Sequence, residues 1–513
     1  MNKLQPILGM GNYNAIKILN SHQMRMLDAA TIDKEPIASI DLMERAAGEI
    51  FAQIKQDFGN VHQFTLFCGK GNNGGDGLVL ARLLCLELKK VTVYVPAQLD
   101  SASPDFSINL ARLKKMNGVK IKNFEDEFEI DDKGVAVDAL FGTGIKLPLN
   151  QVYIDLINRI NAHFQRIVSI DINSGLPCDL PLEKNQQIVA IRSCITYCIH
   201  SPKLSLLFAE TGRLCEKIKI IPIGLDAATK NELTSNLFFL TEEIVEQLPI
   251  RPKFSYKQKM GHVLVMAGSK GKSGAAYFCG KAAMEVGAGL VTFACPEACI
   301  APLQSNFPEA MTLCDLGEDS LKEWPTNTAN FSVLAIGPGI GTNQATQLLL
   351  EKELLQWKKP AVMDADALNC IAAMENFQWT LNTVITPHPG EFDRLTKAHH
   401  NSYDRFLTQI EFSIRNQIII VLKGAYTSIT LPNGVVYFNS TGTPAMAKAG
   451  SGDVLTGIIA GFMAQGITPE TATLLGVYIH GKAGEKAASR KGLHSTNASD
   501  LINNIHLCIH QNI

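Results

Sequence analysis

Short β-branched runs alternate with longer helical patterns twice along this chain of 513 residues, and that alternation limits its fold more than any other feature. The first series of predicted strands is "FTLFC" (64–68), "VTVYV" (91–95), "VAVDA" (135–139), "RIVSID" (166–171) and "CITYCI" (194–199). Helical stretches such as Gly77 to Lys90 and Val152 to Phe164 separate them, and one long helix, Ser21 to Phe58, is expected ahead of any strand. The pattern stops near "IIPIGLD" (220–226), and mixed sequence with Pro and basic residues follows. A second series then runs through "HVLVMAG" (262–268), "LVTFAC" (290–295), "SVLAIGPG" (332–339), "PAVMDAD" (360–366), "TVITPHPGE" (383–391) and "IIIVLKG" (418–424). A hairpin, "TSITLPNGVVYF" (427–438), turns at Pro432-Asn433-Gly434. The expectation is α/β with largely parallel sheets, in two domains, 1–226 and 253–513, joined by a linker at 227–252.

Composition narrows the partners. Lys and Arg total 47 against 49 Asp and Glu, and no basic stripe stands out, which argues against nucleic acid. The 12 cysteines are scattered; Cys194/Cys198 and Cys295/Cys299 lack a second pair at zinc-like spacing, so reduced thiols are expected. The longest apolar stretch, Val454 to Ile467, is broken by Gly457, Gly461 and Gly466 and falls short of the roughly 20 residues that span a bilayer. "MNKLQPILGMGNYNAIKIL" lacks a signal-like apolar core. These features predict a cytoplasmic protein with no membrane partner.

In open α/β sheets ligands collect beyond the carboxyl ends of strands. The unusual segments of the second half fall there: "AGSKGKSGAA", "GPGIG", "DADALN", "TPHPGE" and "KGAYT", with "AGSGDVLTG" after the hairpin. In that last segment Asp453 stands where a helix begins, among glycines that leave backbone N–H groups uncovered. It can be a helix cap, or a catalytic carboxylate beside an anion site. Asp364 and Asp366 equally allow a cap or a functional role.

"GPGIG", "DADALN", "TPHPGE", "KG" and "GSGDVLTG", in that order, resemble the ADP/ATP-dependent NAD(P)H-hydrate dehydratases, of ribokinase-like fold, from about Lys253 onward. The resemblance implies that ADP or ATP phosphorylates the C6 hydroxyl of a hydrated nicotinamide and that phosphate then leaves. It implies Asp453 as general base, with Ser451 and Gly452 lining an anion hole. Lys423, Gly424, Ala425, Tyr426 and Thr427 would hold the nucleotide, together with Gly452. Ala275, Gly339, His388 and Asp453 would meet the hydrate. Asn369 and Glu391 are the expected Mg2+ or water-ordering groups.

"CGKGNNGGDGLVLARLL" (68–84) is not a G-x-G-x-x-G fingerprint, and Asp76 in it can be a helix cap. With "DALFGTGIKLP" (138–148) and "SIDINSGLP" (169–177) it resembles the NAD(P)H-hydrate epimerases, from about Lys17 to Gly224. That resemblance implies a Rossmann-like three-layer αβα sandwich. It places a hydrate site on Asn72, Asn73, Gly74, Gly75 and Asp76, on Gly142, Thr143, Gly144, Ile145, Lys146, Leu147 and Pro148, and on Asp171. It puts K+ near Asn73, Asp138 and Ser174, an oxygen set suited to a hard cation. Interconversion of R and S hydrates passes through a planar or ring-opened species and needs an acid/base group, for which Asp171 is the candidate. The expected ligands are the hydrates of NADH and NADPH with ADP or ATP, and a homo-oligomer is expected. The rival reading is a kinase of another small alcohol, such as a vitamin precursor, preceded by a non-catalytic nucleotide-binding module.

Overall fold

A computed structural model describes residues 13–179, 188–314, 316–375 and 377–509. They fall into two units, one of Lys17–Ser235 and one that assembles residues 13–16 with 236–509. The earliest strand, β1 (Ile16–Lys17), lies in the second unit's sheet.

The first unit is built on β2 (Gln63–Cys68), β3 (Lys90–Val95), β4 (Val119–Asn123), β5 (Val135–Ala139), β6 (Ile167–Ile170), β7 (Ile195–Ile199) and β8 (Ile218–Ile221). They pair in the order β4-β3-β2-β5-β6-β7-β8, and every pair is parallel. The order reverses between β2 and β5, so a crevice opens beyond their carboxyl ends. Both faces of the sheet are covered. In β5, Val135, Val137 and Ala139 enter one core cluster while Ala136 enters another, the period-two alternation of a strand between two helical layers.

The second sheet holds β9 (Leu237–Phe239), β10 (His262–Met266), β11 (Leu290–Ala294), β12 (Met311–Leu313), β13 (Val333–Ile336), β14 (Ala361–Met363), β15 (Thr383–Ile385), β16 (Ile419–Leu422), β17 (Ser428–Thr430) and β18 (Val436–Phe438). Its order is β1-β9-β18-β17-β16-β15-β14-β13-β10-β11-β12. From β16 to β12 the pairing is parallel; β16-β17-β18 is antiparallel, and β9 runs parallel to β18. Val263 and Val265 of β10 face one core, Leu264 and Met266 the other. The switch point lies between β10 and β13.

Three expectations change. The helix expected from Ser21 to Phe58 is two, Ser21–Lys34 and Ser39–Phe58, because Pro36 supplies no backbone N–H for a helical bond. A strand, β1, precedes them. The stretch 227–252, read as a linker, carries a short helix, Ala227–Glu232, and then β9, which is built into the second sheet.

Candidate active site

The helix Ser451–Ala464 starts at the carboxyl ends of the second sheet. Gly450 caps it at φ 90°, a left-handed conformation in which a Cβ would also stand 2.8 Å from the Phe278 ring. Gly452, by contrast, lies inside the first helical turn. Asp453 is in that turn but makes no capping hydrogen bond, and no described residue donates to its carboxylate. Burial, and then the nearby Asp364 charge, push it up to about 7, against the pull of Lys423.

Beside it is a buried ion pair. Asp364, 1% exposed at the end of β14, accepts from Lys423 Nζ at 2.9 Å and from Thr456 Oγ1 at 2.9 Å. A Cβ on Gly452 would stand 3.4 Å from Lys423 Nζ and 3.5 Å from Asp364 Oδ2, so the helix start abuts this pair. Glu391 lies 3.9 Å from the same ammonium. Burial alone would lower Lys423; the carboxylates of Asp364 and Glu391 outweigh it and raise it. Asp364 opens the helix Ala365–Ala372 without a side-chain capping bond, so its carboxylate serves Lys423 instead. Asp366, in the first turn of that helix, accepts from Gly341 N at 2.9 Å and ties the Gly341 loop to it.

The other predicted residues gather around this centre with different partners. A Cβ on Gly339 would meet Ala275 Cβ at 3.0 Å, so those two are adjacent. His388, half-exposed, caps the helix Pro389–Leu395 through Nδ1 and lies 3.3 Å from Glu391 Oε1 through Nε2. Gly424 to Thr427 form an open turn closed by the Thr427 hydroxyl, while the Lys423 side chain turns toward Asp364. The Asn369 amide oxygen accepts from Arg394 Nε at 2.9 Å, and Glu391 accepts from His388 N at 2.8 Å. An oxygen facing a guanidinium does not fit a Mg2+ ligand. Sequence reasoning missed His480. Its Nε2 donates to Ser451 O at 2.9 Å and lies 3.2 Å from Ser451 Oγ. Burial lowers that imidazole to about 4, so it stays neutral. It sits in the largely buried helix Pro469–Lys491, where a lone histidine carries no spacing signal.

In the first unit the helix Asn72–Leu86 begins at the β2–β5 crevice. Gly74 is required there: a Cβ would fall 1.6 Å from Gly69 O. Asn73, Asp138 and Ser174 meet in one buried network. Asp138 accepts from Ser174 Oγ at 2.5 Å, Ser174 N at 2.9 Å and Ser169 Oγ at 2.8 Å. Asn73 Nδ2 donates to Phe141 O at 3.0 Å, and Phe141 N donates to Ser174 Oγ at 2.9 Å. Burial raises Asp138, with these hydrogen bonds opposing, and no described cationic side chain pairs with it. Carboxylate, hydroxyl, amide and carbonyl oxygens around an unneutralised acid fit a hard monovalent cation.

Asp76 is the fifth residue of its helix and 8% exposed, so it does not cap; burial, then the charges of Asp171, Asp28 and Asp105, raise it well above a normal carboxyl. Asp171, just past β6, has its carboxylate 2.6 Å from Lys203 Nζ. Gly142 to Pro148 form a loop, partly to fully exposed, on the same end of the sheet, and Asn72 is exposed beside it.

Comparison with known proteins gives each half of the chain a family match. A family described as NAD(P)H-hydrate dehydratase matches residues 263–507, and one described as YjeF-related protein N-terminus matches 39–205. A protein of Moorella thermoacetica named bifunctional NAD(P)H-hydrate repair enzyme Nnr is 36% identical over 507 residues, covering 94% of this chain and 95% of its own length. The chain belongs to that family. The Escherichia coli protein of the same name is 32% identical over 91% of this chain and 88% of its own. A crystal structure of the ADP/ATP-dependent NAD(P)H-hydrate dehydratase of Bacillus subtilis, co-crystallized with ATP/Mg2+, is 31% identical, covers 53% of this chain and 96% of that one, and has a TM-score of 0.46. As a member of that family, the chain pairs a first unit with an all-parallel sheet between helical layers and a second α/β unit whose sheet is parallel from β16 to β12. No described helix is long and apolar enough to cross a membrane.

Proposed function

We propose that the first unit interconverts the R and S hydrates of NADH and NADPH, and that the second returns the S hydrate to NAD(P)H by phosphorylating its C6 hydroxyl from ADP or ATP and releasing phosphate. The observation that carries this is Asp453: a carboxyl without a hydrogen-bond partner among the described residues, at a helix start, against a buried lysine–aspartate pair.

In this reading Asp453 takes the proton of the C6 hydroxyl as it attacks the terminal phosphoryl. The first-turn amides at Ser451 and Gly452 receive the developing negative charge. His480 fixes Ser451 from behind. Lys423 offers its ammonium to the phosphoryl and then to the departing phosphate, while Asp364 and Glu391 keep it charged. Gly424 to Thr427 carry the nucleotide. Ala275, Gly339 and His388 face the hydrate. Hydroxide is a poor leaving group and phosphate a good one, so phosphoryl transfer turns a stalled elimination into a ready one.

In the first unit Asp171 exchanges the proton, and the loops Asn72 to Asp76 and Gly142 to Pro148 hold the hydrate. Asn73, Asp138 and Ser174 would hold K+, whose charge would balance the buried carboxylate. The cytoplasm, where these cofactors are used, is the proposed location, and a homo-oligomer the proposed state.

Incubation of the full chain with a mixture of the two hydrates tests this. Reduced-nicotinamide absorbance should return only when ADP or ATP is supplied, and both epimers should be consumed. Nucleotide-dependent phosphorylation of a thiamin precursor with the hydrates untouched would overturn it.

A further inference from the structure

A lysine outside the motifs read from the sequence is paired with Asp171 at the first crevice. Lys203 follows β7 in "HSPKLS" and is fully buried. Its ammonium lies 2.6 Å from Asp171 Oδ1, 3.1 Å from Ile199 O and 2.9 Å from Ser201 O. Three donors meet three acceptors, which is how a buried ammonium avoids its desolvation cost. Asp171 is clamped from other sides too. Its backbone is left-handed at φ 68°, its N–H donates to Tyr197 O at 2.8 Å, and Oδ1 also accepts from Ile199 N at 3.2 Å. Oδ2 receives no hydrogen bond from any described residue.

The surroundings make this pair more than packing. Asp28, on the helix Ser21–Lys34, and Asp76, on Asn72–Leu86, both feel the Asp171 charge, and Asp105 adds to the field at Asp76. Burial and Asp171 push Asp28 up to about 6. The thiols of Cys178 and Cys198 also face Asp171 and Lys203, and burial keeps both protonated. Burial would lower Lys203, but Asp171 outweighs it and raises it. Lys203 is the cation among these groups, and it touches only one of the carboxyls.

We propose that Lys203 is the positioning residue of the epimerase centre: it fixes Asp171 as the charged member of a carboxyl cluster and leaves Oδ2 for the hydrate. The proposal rests on Asp171 being the base. The C6–O bond breaks with its electron pair on oxygen, and that oxygen leaves as water with a proton from a carboxyl that has kept one. The ring nitrogen lone pair stabilises the planar cation. Water then adds to the opposite face and gives its proton to Asp171, after which the cluster returns that proton to the acid. Asp76, buried where Asp28 is only partly so, is placed to be the acid; Lys203 ensures that Asp171 is not.

Lys203→Gln in the full chain tests this, since the amide still serves the two carbonyls but carries no charge. Epimerisation is followed without nucleotide by separating the hydrates, and ADP-dependent turnover of the S hydrate reports an intact second unit. The expected result is a loss of roughly 100-fold at neutral pH, with the acid limb of the rate profile moved up by about one pH unit or more. Lys203→Arg keeps the limb in place. Asp28→Asn, added to Lys203→Gln, restores about tenfold by removing a competing negative charge. Should Lys203→Gln fail to fold, Asp28→Asn alone moves the limb down, and an unmoved limb overturns the proposal. So does Lys203→Gln with an unmoved limb. Asp171→Asn separates the two claims: if it still epimerises, the base assignment falls; if it is dead while Lys203→Gln is normal, only the role of Lys203 falls.

Discussion

At the scale of single residues, Asp453 owes its chemistry to what surrounds it. Replacing it by Asn should lower dehydration by roughly 10²–10⁴-fold, the usual worth of a positioned general base, while equilibrium dialysis finds ADP binding kept. Its pH dependence has a definite sign. The folded carboxyl is raised to about 7, so below that it holds its proton and cannot accept another. The dehydratase kcat/KM should therefore fall about tenfold per pH unit below 7 and level off above it. The same shift works against the fold: above the unfolded value of 3.8 the unfolded chain ionises first, so this carboxyl costs stability as pH rises toward 7. Lys423→Met leaves Asp364 buried without its cation; the second unit should lose about 3 kcal/mol, read from its own transition in urea. Much of this residue-scale detail was beyond the sequence. "GSGDVLTG" marks Asp453, but its neighbours Asp364, Lys423 and His480 reach the site from distant elements, and no spacing links them. Both capping alternatives, Asp453 and Asp76, were open in the sequence because a cap needs a hydrogen bond that only coordinates reveal.

At the scale of elements, the strands were legible where side chains are β-branched and buried on both faces. β5 is the stretch 135–139 read from the sequence, and β2, β3 and β7 differ by one residue. β4, "VKIKN", was not seen: it lies at the sheet edge with two exposed polar residues, so its composition is that of a loop. β9 and β12, three residues each, were not seen; most of their side chains are only partly buried, whereas the equally short β14, β15, β17 and β18, which were read, are buried throughout. The helix Ser451–Ala464 was placed within two residues of its start, since glycine and a following apolar run mark it. Its entry is sensitive. Gly450→Ala imposes both a left-handed alanine and contact with Phe278, and should cost about 2 kcal/mol or more, with a larger loss of kcat than of nucleotide affinity because the amides and Asp453 shift together.

At the scale of the whole molecule, order and class of the elements were readable and connectivity was not. Two alternating series announce two α/β units, yet periodicity says nothing about which sheet a short flanking strand joins. Residues 13–16 belong with the second unit: the Tyr13 hydroxyl is 3.1 Å from Thr471 Oγ1, and its ring lies 5.9 Å from that of Tyr437. Asp171→Asn and Asp453→Asn should separate the units functionally. With a fresh hydrate mixture and ADP, the first should consume one epimer and stall, apart from the slow uncatalysed exchange, while the second should consume neither.

The placement of β1 in the second sheet makes the first unit, topologically, an insertion between the first strand of its neighbour and all the rest. During synthesis the sheet's outermost strand leaves the ribosome before any of its partners, and more than two hundred residues of a separate fold must emerge before β9 and the strands behind it arrive. A gene split after the first unit would therefore hand that edge strand to the wrong polypeptide, and the downstream half would have to close its sheet without it.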